Sequence, residues 1–187
     1  MDRQKERKNK ITLKDLKILS INVNSIVTNQ RRASLLNIMN TQQPDILLLN
    51  ETKLNKQHVL RFEKYDIIRN DRNEQHIGGG TAIAIKKEIN YTKITLPENN
   101  ENKILENTII KLDTNNEKSL YVIAVYARSG YHKEFIPQIN RLFSHLKLNE
   151  MNNFYIIAGD LNAKHTVWKN ANNNDTGEMF QRWIETH

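Results

Sequence analysis

The sequence predicts an α/β fold in which strands and helices alternate along the chain. Apolar segments of strand length, rich in Ile, Val and Leu, recur through the sequence, and patterns of helical spacing lie between some of them. The 187 residues are enough for one domain with a sizeable core. These observations together favour a sandwich of sheets and helices.

Six segments are predicted to be strands because each is a short apolar run. Most of the runs are continuous, which is typical of strands covered on both faces. The segment GTAIAIKK alternates instead, and this predicts that only one of its faces is covered. The predicted strands are residues 17–23, 45–51, 80–87, 107–113, 119–127 and 154–160.

Three segments are predicted to be helices from the spacing of their apolar residues. The first two are residues 31–42 and 133–148. The third lies within residues 172–187, where we expect the helix to start after Gly177.

Charge is concentrated at the N-terminus. The net charge is +7, and residues 1–17 hold seven Lys or Arg against three Asp or Glu, a local +4. We predict a basic, disordered tail at 1–16 and a domain at 17–187. The tail could contact nucleic-acid phosphates or simply aid solubility, and both interpretations stay open. The sequence has no apolar run of membrane-spanning length and no cysteine, which predicts an intracellular protein without membrane contact.

Polar side chains follow four of the predicted strands at their carboxyl ends. Ligands of α/β sheets bind at this edge, so we expect these side chains to lie close together. Mg²⁺ prefers oxygen ligands, which Glu51 and Asn22 could supply. Asp160 could then orient a water molecule, while Asn162 and Tyr126 could donate hydrogen bonds to phosphoryl oxygens. The residues of this group are Asn22, Asn24, Glu51, Tyr126, Asp160 and Asn162.

The segments that carry these residues resemble the motifs of a known family. SINVNSI, NETKL, VYARSG and GDLNAKH are similar, in order and spacing, to motifs of the endonuclease/exonuclease/phosphatase superfamily of exonuclease III-like enzymes. Within it, IGGGTAIAIKK and GDLNAKHTVW look most like the endonuclease domain of LINE-like (non-LTR) retrotransposons. The resemblance implies an α/β fold that is a four-layer αββα sandwich of two packed mixed sheets. It also implies a domain that precedes a reverse transcriptase and nicks target DNA.

The resemblance implies a metal corner in the first part of the chain. Glu51 would be the metal-binding carboxylate, and Asn22 would complete the same corner. Asn24 would lie beside them as a substrate-binding residue. The implied ion is Mg²⁺, with Mn²⁺ as a substitute.

The resemblance implies a phosphate corner in the second part of the chain. Tyr126 would contact the scissile phosphate, Asp160 would orient the attacking water, and Asn162 would stabilise charge on the pentacovalent phosphorus. The implied partners are DNA and, in a full-length relative, a reverse transcriptase domain. A protein that acts on chromosomal DNA is expected in the nucleus.

One part of the family pattern has no match in this sequence. The family ends with an Asp-bearing strand and a Ser-Asp-His motif, and His187 lacks the preceding Asp of that motif. We therefore expect a C-terminally truncated domain whose second sheet lacks its last strands and exposes apolar edges. Impaired catalysis is expected to follow.

Other candidate residues lie between the motifs. Arg69 and Arg72 are expected to be exposed loop cations, for which contact with DNA phosphates and plain solvation are both open. Arg128 and Ser129, next to the tyrosine motif, are candidate phosphate contacts. His165 is expected to support the site from behind or to have a structural role near its mouth.

Two further features have competing interpretations. The triplet Gly78–Gly80 resembles a phosphate cradle but lacks the Lys and Ser/Thr of a P-loop, so we interpret it as a tight strand entry. Trp168 could stack on a base or pack against the loop 161–175.

The first functional hypothesis is therefore a Mg²⁺-dependent DNA endonuclease domain of retrotransposon type. The second is a catalytically inactive remnant that binds nucleic acid. The third is a phosphatase or lipid phosphodiesterase of the same superfamily, because a fold alone does not determine its substrate. The retrotransposon-like segments argue against the third.

Overall fold

The chain folds into two four-stranded sheets that pack face to face, with helices on the outer side of each. The structure, a computed structural model, describes residues 16–72, 78–97, 104–114 and 118–187. The strands of these ranges are β1 (Ile18–Asn22), β2 (Ile46–Asn50), β3 (Tyr65–Asn70), β4 (Thr81–Lys86), β5 (Thr92–Ile94), β6 (Leu105–Asp113), β7 (Ser119–Ala127) and β8 (Asn153–Asp160). The α-helices are α1 (Asn29–Gln42), α2 (His132–Leu146) and α3 (Asp175–Thr186).

The two sheets share a topological feature that positions the site. The first sheet has the strand order β1-β2-β4-β3 and the second has β5-β6-β7-β8. In the first, β1 and β2 are parallel and are connected through α1; in the second, β7 and β8 are parallel and are connected through α2. The remaining pairs are antiparallel. Since parallel strands end at the same edge, each sheet presents two adjacent carboxyl ends.

The centre of the sandwich is an apolar layer between the sheets. Ile46 of β2 and Val122 of β7 are both 0% exposed in this layer. Leu35 and Met39 of α1 cover the outer face of the first sheet, and the apolar side of α2 covers the outer face of the second. The four-layer αββα arrangement is therefore confirmed.

The six predicted strands are all present, with ends within two residues of those predicted. The sequence analysis missed β3 and β5. β3 contains only two strongly apolar residues, Ile67 and Ile68, and β5 is three residues long. Neither gives the continuous apolar run that marks a strand covered on both faces.

The prediction that β4 is covered on one face only is wrong. β4 lies between β2 and β3, and five of its six residues are buried. Ala82 and Ala84 pack in the cluster beneath α1, whereas Ile83 and Ile85 pack in the layer between the sheets. The alternation in the sequence is therefore between small and large apolar side chains, which lie on opposite faces of the strand.

The third helix begins at Asp175, so the prediction of a start after Gly177 is also wrong. Asn174 caps the helix, since its Oδ1 accepts a hydrogen bond from the N–H of Gly177 at 2.8 Å. A Cβ atom at position 177 would overlap the carbonyl group of Lys164. The glycine is therefore needed for this close approach within the helix, not to start it.

The described residues begin at the predicted boundary between the tail and the domain. Residues 1–15 of the predicted tail lie outside the described residues. Leu16, which was assigned to the tail, packs against the core between the sheets. Across the described ranges, no helix combines the length and the apolar character that crossing a bilayer requires.

Strand β8 lies at the edge of the second sheet in the described part of the chain. Three of its apolar side chains are between 37% and 44% exposed, namely Phe154, Tyr155 and Ile156. These side chains make the apolar part of β8 partly accessible to solvent.

Candidate active site

Side chains from the carboxyl ends of both sheets meet between them. Asn22 of β1 and Asn50 of β2 are register partners at the end of one parallel pair, as are Tyr126 and Asp160 of the other. The Asn22 amide joins the two ends, because its Nδ2 donates to Oε1 of Glu51 at 2.8 Å and to Oδ2 of Asp160 at 3.1 Å. The fold thus brings Asn22, Glu51 and Asp160 together.

Backbone hydrogen bonds hold the segment around Glu51. Val23, Ser25 and Ile26 donate their N–H groups to the carbonyls of residues 50–52, at distances of 3.0, 2.7 and 3.0 Å. Glu51 itself has a left-handed backbone with φ of 55°. Such a conformation is unfavourable for a residue with a Cβ, and strained residues of this kind cluster at functional sites.

Lys53 and Asn24 extend this corner of the site. The N–H of Asn24 donates to Oδ1 of Asn22 at 3.0 Å, and Nζ of Lys53 donates to Oδ1 of Asn24 at 2.6 Å. The same Nζ lies 3.8 Å from Oε2 of Glu51. The ammonium group therefore offsets part of the negative charge at the carboxylate. Lys53 was not identified from the sequence, although it belongs to the quoted NETKL segment.

Backbone and side-chain donors orient the carboxylate of Asp160. Its Oδ1 accepts a hydrogen bond from the N–H of Asn162 at 2.9 Å, and its Oδ2 accepts from Asn22. The Asn162 side chain turns back to donate to the carbonyl of Ala127 at 2.8 Å. The Asp-x-Asn segment thus forms a local turn and also presents one carboxylate to the site.

Asn50 is a buried bridge between the two sheets. Its side chain is enclosed, with 2% of the residue exposed. In the amide orientation that satisfies its neighbours, the nitrogen donates to the carbonyl of Ile21 at 3.1 Å and the oxygen accepts from the N–H of Asp160 at 3.0 Å. The only sequence signal for this role is a polar residue at the end of the apolar run ILLL, directly before Glu51.

The phenol of Tyr126 stays protonated at neutral pH. Burial raises its pKa above the usual value, and the negative charges of Glu51, Glu106 and Asp160 add to the increase. The guanidinium group of Arg72, whose central carbon lies 5.6 Å from the ring centroid, lowers the pKa in opposition. Because the net shift is upward, the hydroxyl remains able to donate a hydrogen bond.

The prediction that the side chains of Arg69 and Arg72 are exposed is wrong, although Arg72 does lie in a loop. Arg69 lies in β3 and donates to the carbonyls of His58 and Asn55 at 2.7 and 2.9 Å. Arg72 forms an ion pair with Glu106, in which the side chains are 15% and 7% exposed. Arg69 is therefore bonded within the protein, whereas Arg72 is bonded through Nε and its buried Nη2 has no hydrogen-bond partner among the described residues.

Arg128 and Ser129 follow Tyr126 at the open end of β7. The guanidinium carbon of Arg128 lies 5.1 Å from the ring centroid of Tyr131, and Ser129 is exposed. Contact of either residue with a substrate stays a prediction.

His165 and Trp168 make structural contacts in the loop after β8. Nδ1 of His165 accepts a hydrogen bond from the N–H of Val167 at 3.2 Å, and its Nε2 lies 3.7 Å from Oε2 of Glu178. The Trp168 ring packs against His165 and Phe180, with centroid distances of 5.5 and 5.7 Å. These contacts correspond to the structural interpretation of His165 and the packing interpretation of Trp168.

Asparagine side chains brace the same loop. The Oδ1 atoms of Asn170, Asn173 and Asn174 accept hydrogen bonds from the backbone N–H groups of residues 165, 166 and 164, at 3.1, 2.7 and 2.9 Å. Nδ2 of Asn174 donates to the carbonyl of Asn162 at 2.8 Å. The asparagine-rich sequence therefore fixes the loop that follows Asp160.

The sequence was also compared with models of known protein families. Residues 19–184 match the sequence profile of the Endonuclease/Exonuclease/phosphatase family. The chain belongs to this family. The family resemblance predicted from the four motifs is thereby confirmed.

Solved structures of the family fold include nucleases. The endonuclease domain of TRAS1, a telomere-specific non-LTR retrotransposon, is similar with a TM-score of 0.68 and 14% identity, over 91% of this chain and 70% of that one. An AP endonuclease from Archaeoglobus fulgidus has a TM-score of 0.59 and 21% identity, over 92% and 71%. D. rerio TDP2 complexed with single strand DNA product has a TM-score of 0.57 and 20% identity, over 81% and 62%. At these identities the likeness concerns the fold. A comparison with curated protein sequences gives no match.

Nucleases of this family generally use divalent metal ions. Glu51 and Asp160 approach one amide nitrogen at 2.8 and 3.1 Å, so two negative groups lie close together. Carboxylate oxygens of this kind suit Mg²⁺, which takes its remaining ligands from water and substrate. Among the described residues, no three or more His, Cys, Asp or Glu side chains are grouped so that they could hold a metal ion. Water and substrate would therefore have to supply the remaining ligands. Asn22 presents its nitrogen to both carboxylates, so its role as a metal ligand stays a prediction.

Proposed function

We propose that this chain is a divalent-metal-dependent DNA endonuclease domain that nicks duplex DNA, as retrotransposon endonucleases do. The observation that carries the proposal is the joining of Glu51 and Asp160 by the Asn22 amide between the two sheets. Family membership and the fold similarity to the TRAS1 endonuclease domain support it.

Asp160 orients and deprotonates the attacking water in this proposal. Its carboxylate is held by the N–H of Asn162 and the amide of Asn22, and it is only partly buried. The water oxygen forms a bond to phosphorus while its proton passes to Asp160. The bond from phosphorus to the 3′ oxygen breaks, and this oxygen takes a proton from solvent. The products are a 3′-hydroxyl, suited to priming reverse transcription, and a 5′-phosphate.

Other groups of the site address the charge on the phosphate. A divalent cation held by Glu51, with Asn22 beside it, would supply positive charge to the phosphoryl oxygens. Tyr126 keeps its proton at neutral pH and donates it in a hydrogen bond to a non-bridging oxygen. The side chain of Asn162 is held by its bond to the carbonyl of Ala127, the residue after Tyr126.

A cleft beside the catalytic groups offers room for the nucleic acid. Asp160, Asn162, Lys164, Trp168 and Ile184 line it. Lys164 is exposed and supplies a cation for a phosphate, and the apolar side chains supply a surface for a base or sugar.

Nicking of supercoiled plasmid tests the proposal. The parent protein is compared with Glu51→Gln and Asp160→Ala, with and without EDTA. Asp45→Asn is the matched control, since Asp45 lies just before the amino end of β2, away from the site. We expect Mg²⁺-dependent nicking by the parent and the control, and a loss of about 10²-fold or more in both site variants.

Each other outcome has a definite meaning, provided circular dichroism shows folded protein. Nicking that survives in both site variants or in EDTA would contradict the proposal. A parent that binds duplex DNA with steep salt dependence but never nicks it would support the inactive nucleic-acid-binding domain instead. Hydrolysis of small phosphoesters without DNA binding or nicking would support a phosphatase.

A further inference from the structure

A buried ion pair lies directly behind the site, between the end of β3 and strand β6. Nε of Arg72 donates to Oε1 of Glu106, and the two side chains are 15% and 7% exposed. Burial of an ion pair has a high desolvation cost, and a well-packed apolar pair of the same volume is often at least as stable. The pair therefore invites an explanation other than stability.

The position of the pair supplies that explanation. Glu106 of β6 is the register partner of Tyr126 in β7. The guanidinium carbon of Arg72 lies 5.6 Å from the centroid of the Tyr126 ring, within the range of a cation–π contact. Glu106 thus fixes the arginine, and the arginine in turn contacts the tyrosine ring.

The glycine triplet at 78–80 is shaped around this pair. Gly79 has a φ of 67°, and a Cβ atom there would overlap the guanidinium group of Arg72. The N–H of Gly80 donates to Oε2 of Glu106 at 2.5 Å. The triplet is therefore occupied by a protein cation and a protein carboxylate, not by a phosphate.

The same triplet is bonded to the segment that carries Glu51. The N–H of Thr52 donates to the carbonyl of Gly80 at 3.2 Å, and the N–H of Lys53 donates to the carbonyl of Gly79 at 2.9 Å. The glycine triplet is thus bonded through its backbone to the segment that follows Glu51. It also lies against Arg72, which contacts the Tyr126 ring.

We propose that Arg72 is a positioning residue that holds the Tyr126 ring against the reacting phosphate, and that Gly79 is required to seat it. The inference deepens the proposed function, on which it rests for the contact of Tyr126 with the phosphate. It differs from the interpretation of Arg72 as a DNA-phosphate contact, because here the guanidinium acts through the tyrosine and within the protein.

The kinetic test separates turnover from binding. Arg72→Met should lower kcat for plasmid nicking by about tenfold or more while KM for DNA stays within twofold, since a misplaced group affects the reaction more than the encounter. Arg72→Lys should recover only part of kcat, because it restores the charge without the planar guanidinium group that bonds Glu106. In a Tyr126→Ala background, Arg72→Met should cause no further loss. A raised KM, with a salt dependence of binding reduced by about one unit, would mean that Arg72 contacts a phosphate and would overturn the proposal.

Substitutions of two neighbouring glycines test whether Gly79 is needed to accommodate the Arg72 side chain. Gly79→Ala should reproduce the loss of kcat seen in Arg72→Met. Gly78→Ala is the control, because Gly78 also has a positive φ, of 117°, but a Cβ there would lie 3.6 Å from the arginine, an ordinary contact distance. Equal effects of the two substitutions would show that backbone strain, not displacement of Arg72, is responsible.

A measurement without DNA or metal keeps this inference distinct from the proposed function. In protein labelled with ε-¹³C tyrosine, the Tyr126 ring signal is the one lost in Tyr126→Phe. We expect it to move and broaden in Arg72→Met and to be unchanged in Arg182→Met, on the outer helix α3. If Arg72→Met does not fold, the double variant Arg72→Met/Glu106→Leu replaces it, since it leaves no unpaired charge. A ring signal that stays in place refutes the positioning role even if the protein nicks DNA, whereas a moved signal in a protein that never nicks refutes only the proposed function.

Discussion

At the carboxyl end of the first sheet, the segment around Glu51 is held by backbone hydrogen bonds from residues 23–26 and to residues 79–80. At the carboxyl end of the second sheet, Asp160 is followed by a loop that is held by asparagine side chains. The two corners face each other across one amide, yet they differ in what maintains them. Side-chain substitutions near the first corner should change function with little effect on stability, whereas those near the second should change both.

The largest effect on stability is expected from Gly177→Ala in the second corner. Alanine normally favours a helix over glycine, but here its Cβ would overlap the carbonyl of Lys164. We expect the free energy of unfolding to fall by about 1–3 kcal/mol, measured by urea denaturation. Thr176→Ala, one residue earlier in the same helix, should change it by less than about 0.5 kcal/mol. A stabilised Gly177→Ala protein would show that the loop and α3 are not in close contact.

The next effect on stability is expected at Asn50, which bridges the two corners. Asn50→Ala removes the partners of the Ile21 carbonyl and the Asp160 N–H inside the protein. We expect a loss of about 1–3 kcal/mol in the free energy of unfolding, together with reduced nicking. Unchanged stability would mean that the buried amide does not connect the sheets.

A third comparison contrasts the corners directly. Asn174→Ala removes the cap of α3 and a brace of the loop, and should lower the free energy of unfolding by about 1 kcal/mol. Asn24→Ala, in an exposed position of the first corner, should leave the free energy of unfolding within about 0.5 kcal/mol of the parent value. Thermal unfolding of both variants in one buffer measures the difference. Equal losses would remove the distinction between the two corners.

The smallest effect is expected far from the site, at the ion pair of Asp45 and Lys86. Burial alone would raise the pKa of Asp45, but hydrogen bonds from Lys86 and from the backbone of Lys17, with the charges of both lysines, lower it below its ordinary value of 3.8. A carboxyl group with a lowered pKa stabilises the fold above that ordinary value, and the contribution is lost as the pH falls through the lowered pKa. Asp45→Asn should therefore cost under about 1 kcal/mol at pH 7 and nothing once Asp45 is protonated in the parent. Urea denaturation at neutral pH and at pH 3 and below checks this, and a cost that grows on acidification would contradict it.

The difference between the corners also explains which parts of the site were predictable. Glu51, Asp160 and Asn22 follow continuous apolar strands, and their convergence is dictated by parallel strands that end at one edge. The sandwich was predictable for the same reason, together with the motifs that resemble the family.

The roles of Arg72 and Asn50 were not predictable, because they depend on contacts with residues that are distant in the sequence. Arg72 is placed like a loop cation in the sequence, and only the fold brings it to Glu106, 34 residues away. Asn50 is the last residue of β2, and only packing of the second sheet gives it Asp160 as a partner. In β4 the alternating pattern has the period of a half-covered strand, although both of its faces are covered.

The most direct test of the central claim, that the ends of the two sheets form one metal-dependent site, is a Mn²⁺ titration of isotopically labelled protein followed by NMR. A paramagnetic ion broadens the signals of nearby groups, so its position can be read without any catalytic activity. We expect the amide signals of Asn22, Glu51 and Asp160 to broaden together at low Mn²⁺ concentration, and the signal of Asp45 to stay sharp. Broadening confined to one corner, or to a surface away from both, would contradict the account.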